Sequence, residues 1–130
     1  MRNAAIDSET ERLASELVDA AFKVHHALGP GLLETVYEVC LCHELSSRRI
    51  PFKRQVSLPI VYEGVTLDAG LRLDIVVADS IVVEIKAAEK LIPLFDAQLL
   101  TYLKLTGLRL GLLINLNVPL FKDGIKRFVR

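Results

Sequence analysis

Arg72-Leu73-Asp74 is followed, ten residues after the aspartate, by Glu84 within Val83-Glu84-Ile85-Lys86. A hairpin centred on Asp79 sets Asp74 opposite Glu84 and Arg72 opposite Lys86, because each pair is symmetric about that residue. Strand alternation then projects these four from one face, and Leu73, Ile75, Val83 and Ile85 from the other. Facing residues have Cβ atoms about 4.5–5.5 Å apart, where like charges repel, so something positive belongs between the carboxylates. A hard divalent cation beside a phosphate ester meets that need, with Lys86 next to the reacting centre. The alternative is a solvated hairpin face, with Arg72 bridged diagonally to Glu84 and Lys86 to Asp74. The flanks oppose it. Ile75-Val76-Val77 and Ile81-Val82-Val83 are nearly continuous apolar runs, as in strands covered on both faces.

The elements around these strands follow from periodicity and punctuation. Ser8-Glu9-Thr10-Glu11 has the spacing of a capping box, and Leu13, Leu17, Ala20, Ala21, Val24 and Leu28 follow at helical intervals. Gly29-Pro30-Gly31 stops that helix. A second is predicted from about Leu32 to Ser47, with Leu33, Val36, Tyr37, Cys40, Leu41 and Leu45 inward. Strand-like sequence runs from Phe52 to Leu67, interrupted by Pro59 and turned at Glu63-Gly64. After the Asp74 and Glu84 strands, Pro93 suits the first turn of a third helix running to about Thr106 and closed by Gly107. Leu108 to Asn115 reads as a buried strand, and Gly124 to Val129 as a short strand or a helix. Gln98 and Tyr102, four apart on the third helix, present to one side, where each can contact a phosphate or a water. Glu34 and Tyr37 are three apart in the first turns of the second helix, where an acid also complements the helix dipole. Singly, each pair is common helix-surface decoration. Together they are much harder to attribute to chance.

Composition bounds the remaining possibilities. The length suits one domain over residues 1–130, and 52% hydrophobic residues with a mean hydropathy of +0.38 leave apolar surface over for a homodimer interface. Sixteen basic and sixteen acidic residues cancel, so any phosphate-binding surface must be local. Its candidates are Arg48, Arg49, Lys53 and Arg54, and Lys122, Lys126, Arg127 and Arg130; either cluster is also an ordinary solvated face. No apolar run approaches the roughly 20 residues of a membrane span, and Asp7, Glu9 and Glu11 stand where a signal peptide has its apolar core, so a cytoplasmic protein is expected. Cys40 and Cys42 match neither a redox pair nor a zinc knuckle and read as buried thiols. His25 and His26 suit the negative end of the first helix better than a metal.

Gly31-Leu32-Leu33-Glu34-Thr35-Val36-Tyr37 resembles the motif of the GxxExxY proteins. The resemblance continues through Gln55, Asp74, Glu84-Ile85-Lys86, Gln98-Leu99-Leu100-Thr101-Tyr102 and Gly111-Leu112-Leu113-Ile114-Asn115. That family is similar to the PD-(D/E)XK nuclease superfamily. The resemblance implies an α/β fold with a restriction-endonuclease-like αβββαβ core, a mixed sheet flanked by helices. It further implies Asp74 and Glu84 as metal carboxylates, Lys86 as the motif lysine, Glu34 as a helix-borne acid near the metal, and Gln98 and Tyr102 as a QxxxY element. Leu73 replaces the motif proline before the aspartate.

The expected activity is metal-dependent phosphodiester hydrolysis of nucleic acid, with DNA favoured over RNA. Asp74, Glu84 and the Ile85 carbonyl, with Glu34 nearby, would hold Mg²⁺ or Mn²⁺. Lys86 would orient a water or neutralise charge on the phosphorane, and Gln98 would position water or phosphate. Arg72, Tyr37 and Tyr102 are the candidate substrate contacts. The alternative is a non-catalytic nucleic-acid- or protein-binding module that retains the fold; a third reading makes the polar cluster a salt-bridge network in a structural dimer.

Overall fold

The computed structural model describes residues 5–130. Two helices, α1 (Ser8–Leu28) and α2 (Glu34–Ser47), lead into strands β1 (Phe52–Ser57), β2 (Ile60–Tyr62), β3 (Val65–Leu67), β4 (Arg72–Val77) and β5 (Ile81–Lys86). Helix α3 (Pro93–Thr106), strand β6 (Leu110–Asn115), a 3₁₀ turn (Phe121–Asp123) and strand β7 (Ile125–Val129) follow. The main sheet runs β1-β4-β5-β6-β7, and β2 and β3 form a separate ribbon. Only β5 and β6 pair in parallel, across the α3 crossover; the other neighbours are antiparallel. Residues from α1 and α2 pack on one sheet face with Ile75, Val77, Ile81, Val83 and Ile85. Leu99 and Leu103 of α3 cover the other, with Val76, Val82 and Leu113. This is the expected restriction-endonuclease-like arrangement, with a five-stranded mixed sheet between helices.

Local chemistry explains the β4–β5 turn and both ends of α1. The β4–β5 turn places Ala78 and Asp79 at φ +51°, and the strands pair Ile75↔Val83, Val76↔Val82 and Val77↔Ile81, all centred on Asp79. Gly29 caps α1 at φ +67°, donating its N–H to the His25 carbonyl at 2.8 Å. The N-terminal cap of α1 is Asp7 rather than the expected Ser8: its carboxylate accepts from the Thr10 N–H at 2.8 Å, and from the Thr10 hydroxyl. That position gives the carboxylate two donors.

Two expectations about facing are corrected. The inward stripe of α2 is Tyr37, Glu38, Leu41, Cys42 and Leu45, whereas Leu33 is 75% exposed, Val36 is exposed and Cys40 is half-buried. A carboxylate can take a core-facing place there because Arg54 and Gln55 partner Glu38. Leu73 does not share a face with Ile75. It packs under α3 with Val76, Val82 and Leu99. The reason lies in β1, where Gln55 adopts φ +50° and the strand pairing passes from Arg54↔Ile75 to Val56↔Leu73 without a Gln55↔Asp74 pair.

The basic clusters are largely committed within the chain. Arg48 reaches Glu16, Asp19 and Glu44, and Lys53 reaches Asp79. Lys126 and Arg127 pair with Asp96 and Glu11. Among the described residues no helix is long and apolar enough to cross a membrane. His25 is buried with its Nε2 2.6 Å from the Val118 carbonyl, a structural contact between α1 and the segment after β6.

Candidate active site

The centre of the site is a place where a sheet ladder stops. Beyond Ile75↔Val83 the β4–β5 backbone pairing ends, and side chains take over the freed donors. The Asp74 N–H donates to Glu84 Oε1 at 3.1 Å, and the Ile85 N–H donates to Asp74 Oδ2 at 2.8 Å. Asp74 and Glu84 therefore face each other as expected, but by plugging carboxylates into opposite backbones. Arg72 is not opposite Lys86. It is exposed, beside Ser57 of β1.

Burial and mutual repulsion set the electrostatics. Glu84 is 7% exposed, and its pKa is pushed up to about 8 by burial and by the neighbouring Asp74. Asp74 is half-buried and its pKa is also raised, chiefly by burial and further by Glu38 and Glu34; the Ile85 N–H and Lys86 oppose the rise. The Lys86 ammonium lies 4.5 Å from the centroid of the Phe95 ring, a cation–π contact that directs it toward α3. Neither diagonal bridge, Arg72 to Glu84 or Lys86 to Asp74, forms a salt bridge. The carboxylates have no paired cation: Lys86 opposes the rise at both, against the negative charge of Glu34 and Glu38 on Asp74.

Helix α3 forms one wall. Phe95, Gln98 and Tyr102 fall on one side of it at i, i+3 and i+7, so Gln98 stands between the ring that holds Lys86 and a phenol close to the acids. The Tyr102 hydroxyl has a raised pKa, from burial first and then the negative charge of Glu84 and Asp74. The helix sits close to the sheet because Gly111 lies beneath it. A Cβ built there would be 3.1 Å from the Leu99 side chain.

Helix α2 forms the other wall. Glu34 is exposed in its first turn, near enough for its charge to act on Asp74. It does not join Asp74 and Glu84 in a three-acid cluster suited to a metal ion, and no such cluster occurs among the described residues. Tyr37 is fully buried. Its hydroxyl donates to the Gly29 carbonyl at 2.7 Å and accepts from the Leu32 N–H at 3.2 Å, so it fastens the turn that launches α2.

Three residues of the site escape sequence reasoning. Glu38 is 5% exposed, bound to Arg54 and Gln55, and its charge helps to raise the pKa of Asp74; its only signal is its position four after Glu34. Phe95 shares a helix face with Gln98. Asn115 is fully buried at the end of β6 and clasps the chain just past Lys86: Oδ1 accepts the Ala88 N–H at 3.1 Å and Nδ2 donates to the Ala88 carbonyl at 3.0 Å.

The donor set fits a hard divalent ion. Two carboxylates lie together without a salt-bridge partner, and burial costs them charge that a cation would restore. The Ile85 carbonyl adds a third oxygen. Within a strand a residue's N–H and C=O point to the same edge, so this carbonyl faces the opened side of β5 along with the N–H that Asp74 engages. All-oxygen ligation suits Mg²⁺ or Mn²⁺.

No curated protein and no solved structure matches the chain. A family model described as the PD-(D/E)XK nuclease superfamily matches residues 11–128, a span that includes the carboxylate pair and both helical walls. The chain belongs to the PD-(D/E)XK nuclease superfamily.

Proposed function

We propose that this protein is a metal-dependent phosphodiesterase acting on nucleic acid, with DNA as its substrate, and that residues 1–130 form one such domain of the GxxExxY kind. The observation that carries this reading is the Asp74–Glu84 pair at the end of the β4–β5 ladder with Lys86 beside it. Asp74, Glu84 and the Ile85 carbonyl hold Mg²⁺ or Mn²⁺, and Glu34 adds negative charge at the rim. When bound, the ion supplies Lewis-acid polarisation of a phosphoryl oxygen. Lys86 offsets charge that builds on the phosphate, and Gln98 orients the attacking water or the phosphate. Tyr102 and Arg72 contact the substrate at the α3 wall and the start of β4. Tyr37 acts on the substrate side only by fixing the turn before α2.

A panel of single-stranded, duplex, flapped and branched DNA, together with RNA, tests the activity in Mg²⁺ and in Mn²⁺. Metal-dependent cleavage of a DNA member is expected, and it should vanish with Glu84→Ala. Binding without cleavage across the panel would favour the non-catalytic module. That alternative draws on the ion pairs that already engage Arg48, Lys53, Lys126 and Arg127 outside the site.

The same proposal includes a homodimer and a cytoplasmic setting. Leu33 at the N-cap of α2 and Val39 within the helix are 75% and 50% exposed, an apolar surface that a second copy would cover. Sedimentation equilibrium at micromolar concentration should give twice the chain mass, and a monomer mass rejects the dimer. Two free cysteines suit a reducing compartment; the buried Cys42 thiol has its pKa pushed up to about 11, which keeps it unreactive.

A further inference from the structure

In a regular strand, neighbouring side chains point to opposite faces. Arg54 and Gln55 are neighbours in β1, yet both grip the same carboxylate. Arg54 donates to Glu38 Oε2 from Nε at 2.9 Å and from Nη2 at 2.7 Å; Gln55 Nε2 lies 3.1 and 3.2 Å from the two Glu38 oxygens. The left-handed backbone at Gln55, φ +50°, is what brings the two side chains to one side. Such a conformation is disfavoured for a residue with a Cβ and needs compensating contacts to hold it. Glu38 supplies them from within the core, at 5% exposure.

The kink has an effect across the ladder. Register is unchanged on either side of it, Arg54↔Ile75 and Val56↔Leu73, but facing is reversed on both strands. Phe52 and Ile75 pack toward α1 and α2, whereas Val56 and Leu73 pack toward α3. Gln55 absorbs the reversal in β1, and the residue at the matching place in β4 is Asp74. Its carboxylate is thereby turned to the β5 edge, where it takes the Ile85 N–H.

We infer that Glu38 is a positioning residue: by clamping Arg54 and Gln55 together it holds the left-handed kink of β1 that aims the Asp74 carboxylate at Ile85 and Glu84. It acts through Gln55 and touches neither the reacting atoms nor Glu84. The catalytic significance of that aim rests on the function proposed above. The geometric claim stands apart from it.

A glycine at position 55 adopts the left-handed conformation without a clamp, so it should make Glu38 dispensable. The comparison uses wild type, Glu38→Ala, Gln55→Gly and the double variant, read by amide hydrogen exchange at Ile85 and by calorimetric titration with Mn²⁺. Glu38→Ala should speed Ile85 exchange about tenfold or more relative to the Val82 and Leu113 amides, which report the remaining sheet. Mn²⁺ affinity should fall in parallel. Adding Gln55→Gly should restore both, a rescue that simple loss of core stability would not show. Unchanged Ile85 exchange in Glu38→Ala, or no rescue in the double variant, overturns the inference. If Glu38→Ala does not fold, Glu38→Gln takes its place: it weakens the two-oxygen grip, Ile85 should again exchange faster, and Gln55→Gly should reverse it. Identical exchange in those two proteins also overturns the inference. Absence of Mn²⁺ binding to wild type would reject the metal reading alone, since the exchange pattern still decides the role of Glu38.

Discussion

Lys86→Ala should lower cleavage by about a hundredfold or more while leaving Mn²⁺ binding intact, the size expected for removing one electrostatic stabiliser of a transition state. A charged ammonium has no lone pair to give a metal, so its contribution is confined to phosphate charge and water orientation. Phe95 holds it at 4.5 Å from the ring centroid, beside acids whose charge it partly offsets. Glu84→Ala should lose both cleavage and metal binding, because Glu84 is assigned to the cation itself. Single-turnover cleavage with parallel isothermal titration separates the two outcomes. Equal residual cleavage by wild type and Lys86→Ala on every substrate would mark that cleavage as contamination, and the non-catalytic module would then be preferred.

Glu84→Gln should remove most of a pH dependence of stability that wild type shows. The folded-state pKa of Glu84 is about 8 against an ordinary 4.5, so between those values the folded protein holds more of this proton than the unfolded chain. Stability contributed by the protonated carboxyl is fully present below about 4.5 and is lost as pH rises through about 8. The slope for one such group approaches about 1.4 kcal/mol per pH unit. Asp74 is shifted in the same direction and adds to the trend. A divalent ion competes with the proton, so Mn²⁺ should stabilise wild type more at pH 8 than at pH 6 and should do little for Glu84→Gln. Urea unfolding across that pH range, with and without Mn²⁺, measures this. Parallel profiles for the two proteins would remove the shared-charge account of the site.

The hairpin centre was readable because symmetry about Asp79 needs only spacing and alternation, and the positive φ at Ala78 and Asp79 supplies the turn. The third helix was readable from Pro93 and Gly107, which punctuate it by backbone chemistry alone. Leu73 was misplaced because alternation assumes a uniform strand. Its reversal originates in the left-handed conformation of Gln55, which in turn depends on a side chain from α2. No local pattern contains that dependence. Glu38 itself looks like a solvated helix residue until Arg54 and Gln55 are folded against it. The ladder's early end at Ile75↔Val83 is local but also lies outside the alternation pattern, since there carboxylates take backbone donors in place of the opposite strand. The final segment left open between strand and helix is an edge strand on β6, with Arg127 tied across to Glu11 of α1.

The Asn115 clasp on Ala88 differs from the β4–β5 hairpin in how much chain it closes. Asp74 and Glu84 belong to a local hairpin whose ends are close in sequence, and loop closure for such a unit is entropically inexpensive. The clasp joins residues 27 apart and depends on the parallel β5–β6 pairing across the α3 crossover, a non-local step that forms slowly. A nascent or partly unfolded chain can therefore bring the two carboxylates together before the segment carrying Lys86 is anchored. Full assembly of the Asp74, Glu84 and Lys86 cluster then coincides with completion of the sheet, so the finished cluster marks the native topology.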